Sequence, residues 1–132
     1  MSSINKIMLM GNVGKDPVIT ETKSGMRRAS FSLATYEYRK DKTTNEKHQI
    51  TQWHTIVTFT ENIINHIEKN VFCGCRVFVE GCLQYRESTS KDGNKTKIKI
   101  TEVVISPYKG QIQVIKNSTA AKTTNDEHDL WD

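Results

Sequence analysis

The chain has 132 residues, which suits one domain with a short extension, and its hydrophobic content of 36% is low but workable for a small β-rich core. It shows no apolar run of about 18 residues, and its start lacks the basic, apolar and small-residue regions of a secretory signal, so neither a membrane span nor secretion is expected and a soluble, cytoplasmic protein is. The net charge of +4 is unevenly spread: residues 118–132 carry Lys122 against Asp126, Glu127, Asp129 and Asp132, a net −3, which leaves eighteen cations against eleven acids, or +7, in the rest. A basic body of this kind concentrates polyanions around itself, beside the simpler reading of a solvated cationic surface.

Along the chain, strands dominate. Residues 4–12 form a short apolar run stopped by Gly11, Gly14 and Pro17 and read as a first strand, with residues 18–22 continuing it after a bulge. After a turn at Lys23-Ser24-Gly25-Met26, residues 27–38 alternate Ala29, Phe31, Leu33 and Thr35 with Ser30, Ser32, Ala34 and Tyr36, giving a long second strand. Residues 39–49, with Asp41, Thr43, Thr44 and Asn45 as turn formers, read as a long polar loop. The third strand, residues 52–59, alternates so that Trp53, Thr55, Val57 and Phe59 share one face and His54, Ile56 and Thr58 the other.

Thr60 is placed to cap a helix over residues 61–70, whose Ile63, Ile64 and Ile67 fall at helical spacing. A fourth strand follows at residues 76–87. Asp92-Gly93 then signals a hairpin into a fifth strand at residues 95–106, where Ile98, Ile100, Glu102 and Val104 alternate with lysines. Pro107 ends it, residues 111–115 add a last short strand, and residues from 117 onward lack apolar periodicity and read as disorder. Five strands with one short helix between the third and fourth give the order of an all-β, five-stranded Greek-key barrel of the oligonucleotide-binding class, residues 1–116, followed by an acidic tail, residues 117–132.

Two aromatics on one strand face are either core or platform. Around them, cations and rings are interleaved: Tyr36, Tyr38, Arg39, Lys40, Lys42 and Lys47 precede the third strand, and Arg76, Tyr85 and Arg86 follow it. That mixture suits stacked bases with a tracked phosphate backbone. Nuclease chemistry would need clustered acids, whereas Asp16, Glu61, Glu80 and Glu102 fall on separate elements. Cys73, Cys75 and Cys82 are an odd number in a short span, which argues for a reducing compartment, and Cys73-Gly74-Cys75 lacks a second pair to complete tetrahedral coordination, so neither metal nor cofactor is expected.

Several blocks, taken together, resemble bacterial single-stranded DNA-binding proteins. They are the opening run from Ile4-Asn5-Lys6 through Gly14-Lys15-Asp16-Pro17, then Phe31-Ser32-Leu33-Ala34-Thr35, Trp53-His54, Val79-Glu80-Gly81 and Thr101-Glu102-Val103-Val104. The resemblance implies base stacking at Trp53 and Phe59. Other members carry further rings where this chain has Arg39, with Tyr38 adjacent, and Ser88, with Tyr85 nearest, so Tyr38, Arg39, Lys40, Tyr85 and Arg86 complete the expected nucleic-acid site. It also implies a homotetramer in which first strands pair through the apolar run containing Ile7 and Leu9, with His54 near the subunit contact. Members usually end in an acidic cluster and an apolar tip that docks replication and repair proteins; here the ending is Asp126, Glu127, His128, Asp129, Leu130, Trp131 and Asp132. The function so implied is non-catalytic, sequence-tolerant binding of single-stranded DNA in replication, recombination and repair, in the bacterial cytoplasm with the nucleoid. Alternatives are an adaptor that keeps the barrel but works through protein contacts, and an RNA binder, since stacking does not distinguish the sugars.

Overall fold

A β-strand leaves half its backbone hydrogen bonds to neighbours, and the order in which this chain supplies neighbours makes a ring. The computed structural model describes residues 2–89 and 96–117. In chain order the elements are β1 (Ile7–Val13), β2 (Val18–Glu21), β3 (Arg27–Lys40), β4 (Lys47–Thr58), α1 (Glu61–Asn70), β5 (Arg76–Thr89), β6 (Lys97–Ile105) and β7 (Gln111–Lys116). The sheet runs β1-β3-β4-β6-β5, and β5 returns to pair with β1 over Ile7↔Gly81 to Asn12↔Arg76. This is the closed five-stranded barrel that the sequence implies, with α1 between its third and fourth strands. Every neighbouring pair is antiparallel except β4 and β6, joined in parallel at Ile56↔Val103, Val57↔Val104 and Thr58↔Ile105.

Closure needs β1 to cross β3 closely. It meets that strand only at Asn12↔Ala34 and Val13↔Leu33, and β2 then takes over the pairing from Val18↔Ser30 to Glu21↔Arg27, so the two short segments act as one interrupted strand. At the crossing, a Cβ on Gly11 would stand 1.9 Å from the Ala34 carbonyl oxygen. Only glycine fits there.

The inward side chains meet in one core. Val13, Phe31, Leu33, Ile56, Val77, Val79 and Val103 come from the barrel strands, and Ile64 and Ile67 of α1 join them. Full burial of each such aliphatic side chain is worth about 1.5–3 kcal/mol. Thr60 stands at the helix start but makes no capping bond with its side chain. Its backbone N–H instead donates to Thr58 Oγ1 at 3.2 Å, and that hydroxyl donates to the Ile105 carbonyl at 2.8 Å, tying the helix entry to the β4–β6 seam. Arg27 fastens the outer side of α1, reaching Glu61 at 2.6 Å and Asn65 at 2.7 Å.

One region departs from the expected loop at residues 39–49. The strands continue through it as a hairpin in register to Lys40↔Lys47, leaving a turn of residues 41–46. Its sequence has no apolar alternation because both faces meet water, yet backbone pairing does not require apolar side chains. The Asp41 carboxylate accepts the Thr43 N–H at 2.8 Å, which holds its pKa below the ordinary value, and Asn45 takes the left-handed conformation at φ 65°. The Asp92-Gly93 turn and the acidic tail lie outside the described residues.

A Gly11→Ala variant should lose about 1–3 kcal/mol of stability, because the barrel must open slightly to admit the methyl group. Urea unfolding checks it; an unchanged midpoint would show that β1 can be displaced without cost.

Candidate nucleic-acid interface

Pairing register decides which side chains share a face. In the β3–β4 hairpin, Trp53 lies opposite Ala34, Thr51 opposite Tyr36, Gln49 opposite Tyr38 and Lys47 opposite Lys40. Residues directly opposed in an antiparallel pair project to the same side. Trp53, Tyr36, Tyr38, Lys40 and Lys47 therefore form one ladder, rings near the barrel and ammonium groups toward the tip. Alternate residues on one strand lie about 6.6–6.8 Å apart, so the rings form successive rungs.

The face is open because the hairpin projects beyond the part of β4 that β6 covers. Trp53 and Tyr38 are each 60% exposed and Tyr36 39%. Trp53 is nevertheless held: a Cβ on Gly14 would come within 2.5 Å of its six-membered ring, so the indole rests on the loop backbone after β1. That loop is fixed by the Cys73 N–H donating to Asp16 Oδ1 at 2.8 Å and by the Gly74 N–H donating to the Val13 carbonyl at 2.9 Å. A ring supported on one side and open on the other is suited to stacking without first losing rotamer freedom.

The remaining expected site residues are distributed. Phe59 stands just past the end of β4 at 42% exposure, whereas Val57, expected on the same open face, is 1% exposed. Arg39 is opposite His48 on the other side of the hairpin, where it reaches Glu37 at 3.4 Å. Tyr85 pairs with Thr101 and, by the register through Leu83↔Val103 and Ile56↔Val103, belongs to the side opposite Trp53, with the Lys99 ammonium 4.9 Å from its ring centre. Arg86, one residue on, returns to the Trp53 side and donates to Glu102. Of the seven expected contact residues, the structure thus puts Trp53, Tyr38 and Lys40 together in one ladder, with Phe59 and Arg86 farther along and Arg39 and Tyr85 behind.

The expected assembly residues are also separable. Ile7 and Leu9 pack against their own barrel core, while Met8 and Met10 are exposed. β5 pairs along one edge of Ile7 to Gly11, but β3 joins the other edge only from Asn12 onward. His54 shares a 2.8 Å hydrogen bond with Thr35 Oγ1 and is partly buried, and this desolvation lowers its pKa from 6.5. No disulfide links Cys73, Cys75 or Cys82. Among the described residues no helix is long and apolar enough to cross a membrane, and no group of three or more His, Cys, Asp or Glu side chains gathers at one point.

The model of the Single-strand binding protein family matches residues 4–115. The chain belongs to this family. A Rickettsia felis protein named single-stranded DNA-binding protein is 36% identical over 124 residues, covering 94% of this chain and 80% of the relative. One of the same name from Rhizobium meliloti is 35% identical over 113 residues, covering 86% of this chain and 64% of its own length. Among solved structures, a Plasmodium falciparum SSB in complex with ssDNA superposes with a TM-score of 0.77 at 39% identity, covering 88% of this chain and 98% of that one.

For a single-strand binding family member, two features of the site's arrangement follow only from the fold. Tyr36 occurs in the alternation of the second strand, yet its place between Trp53 and Tyr38 follows only from cross-strand register. Gly14 reads as a strand terminator; its contact with Trp53 joins residues far apart in sequence.

His54 gives a pH dependence with a definite sign. Its folded pKa lies below its unfolded value, so the unfolded chain binds the proton more readily and stability falls as pH drops below about 6.5 toward the folded pKa. A His54→Gln variant should show a shallower loss in urea midpoint across that range. Equal slopes would show that His54 is hydrated alike in both states.

Proposed function

We propose that this chain binds single-stranded DNA without sequence preference and protects it during replication, recombination and repair. The observation that carries the proposal is the ladder of Trp53, Tyr36 and Tyr38 on one open hairpin face, continued by Lys40 and Lys47. Bases stack on the rings, for about 1–3 kcal/mol each, and the lysines neutralise phosphates, so affinity falls as salt rises. Phe59 receives a base farther along the strand; Arg39 and Tyr85 serve a segment that passes to the back of the hairpins. Family membership, and a structural relative solved in complex with ssDNA, support the same ligand. The chain acts by holding its ligand and leaves its covalent bonds intact.

The working form is a homotetramer. The half-paired edge of β1, flanked by exposed Met8 and Met10, would take the equivalent strand of a second copy, with Ile7 and Leu9 bracing it from within and His54 close to the contact. Asp126, Glu127, Asp129, Leu130, Trp131 and Asp132 form the segment that recruits replication and repair proteins, charge meeting a basic groove and Leu130 with Trp131 filling an apolar pocket. The site of action is the bacterial cytoplasm, at the nucleoid.

Titration with oligo-dT, in a Trp131→Phe background so that quenching reports Trp53 alone, tests the reading. Trp53→Ala, followed by anisotropy of labelled DNA, should weaken binding by about 1–3 kcal/mol with the thermal midpoint retained. Tyr36→Leu and Tyr38→Leu should behave alike, while Arg39→Gln should alter mainly the salt dependence. Undiminished affinity in Trp53→Ala would refute the stacking role, and a collapse of its thermal midpoint would return Trp53 to the core. Parallel titrations with oligo-rU and duplex decide the preference for DNA and for single strands.

Assembly is checked separately. Light scattering at micromolar concentration should give four times the chain mass, and a monomer mass would remove the β1 edge from the proposal.

A further inference from the structure

Among the described residues, Glu102 is the one charged side chain that is buried. It is on β6, and its neighbour two positions on, Val104, pairs with Val57, so it faces the side of Trp53. Its Oε2 accepts Arg28 Nη2 at 3.1 Å and Arg86 Nε at 3.1 Å. Arg28 comes from β3 and Arg86 from β5, the two strands that flank the β4–β6 pair. To reach Glu102, Arg28 must therefore cross β4. On the same face Val57 is 1% exposed, although Trp53 and Phe59, at the same strand phase on either side, are open.

The charge balance of the cluster does not suit a purely structural role. Two guanidinium groups share one carboxylate, leaving one net positive charge on the face between the rings. Each guanidinium has five N–H donors, and each gives one of them to Glu102. The Arg86 side chain is 50% exposed and that of Arg28 25%, whereas the Glu102 side chain is 7% exposed. A buried ionic cluster is usually no more stabilising than well-packed apolar residues of the same volume. Without the carboxylate, moreover, the two cations would repel each other.

We propose that Glu102 is a positioning residue: it seats Arg28 and Arg86 as a clamp for one backbone phosphate of the nucleic acid, between the bases on Trp53 and Phe59. The inference rests on the single-strand binding function proposed above. Arginine suits it because its planar fork can hold a carboxylate on one edge and a phosphate on another.

The sign of one substitution separates positioning from plain charge. Removing a negative charge near a polyanion should tighten binding; removing the group that aims two phosphate ligands should weaken it. Glu102→Gln keeps the size and one acceptor oxygen. In oligo-dT titrations below the melting temperature of both proteins, it should weaken binding about tenfold, and much less in an Arg28→Gln/Arg86→Gln background. Arg28→Gln and Arg86→Gln alone should each flatten the slope of log K against log salt by about 0.7, the effect of one phosphate contact on a single strand. Tighter or unchanged binding by Glu102→Gln, or an equal loss with and without the two arginines, would overturn the proposal. If Glu102→Gln does not fold, the arginine variants decide: unchanged salt slopes overturn the clamp and flattened ones support it. Wild-type protein and Trp53→Ala run alongside, so that loss of all oligo-dT binding by the wild type counts against the parent reading, and an anomaly confined to Glu102→Gln against the clamp alone.

Discussion

Three residue pairs hold this protein in its shape. The parallel seam of Ile56, Val57 and Thr58 with Val103, Val104 and Ile105 turns an open sheet into a ring, and the Thr58 hydroxyl adds a buried hydrogen bond across it to Ile105. Closure pairs the strands around the wall, apart from the half-paired stretch of β1, so the strands of a small domain need no second sheet to protect them. Closure also defines an inside, which α1 completes with Ile64 and Ile67.

The seam is short, and the candidate site follows from its shortness. β4 begins at Lys47 and β6 at Lys97, but the two strands are joined only over their last three residues. Before the seam each is paired on one side, β4 with β3 and β6 with β5, and the hairpins project from the barrel. Rings on a projecting hairpin keep a face toward solvent, Trp53 and Tyr38 at 60% exposure each. Trp53 and Tyr38 forgo burial that would stabilise a core, and an exposed row of aromatics is a feature a binding surface uses and a purely structural one does not.

Charge is sorted by the same geometry. Arginines near the barrel are engaged within the protein: Arg27 with Glu61 and Glu68 of α1, Arg28 and Arg86 with Glu102. Lys6 meets Glu80 at 3.0 Å beside the first strand. At the hairpin end, Lys40, Lys42 and Lys47 make no ion pair among the described residues, although Asp41 and Glu46 are close in sequence, because Asp41 is turned inward to hold the turn. The excess positive charge of the body thus acquires a direction, from rings near the barrel wall to ammonium groups at the tip.

Much of this architecture is written locally. Alternation of apolar residues fixes β3, β4 and the inward faces of β5; the spacing of Ile63, Ile64 and Ile67 fixes α1; Gly14 and Pro17 fix the break between β1 and β2. These are properties of residues within a few positions of one another, so a one-dimensional reading recovers them. The candidate site was half legible by the same logic: Trp53, Tyr38 and Lys40 were found as rings and cations in sequence. Only the tertiary structure decided that Tyr36 stands between the two rings, that Arg39 and Tyr85 face the other way, and that residues 39 and 40 continue a strand. It alone decided that Val57 is buried on a face where Trp53 is open and that Glu102, an alternating residue among lysines, is buried between two cations. The physical reason is common to all of them. Period-2 alternation says that two side chains lie on opposite sides of a strand, but which side meets core, solvent or a partner charge depends on strands tens of residues away, brought alongside only when the ring closes.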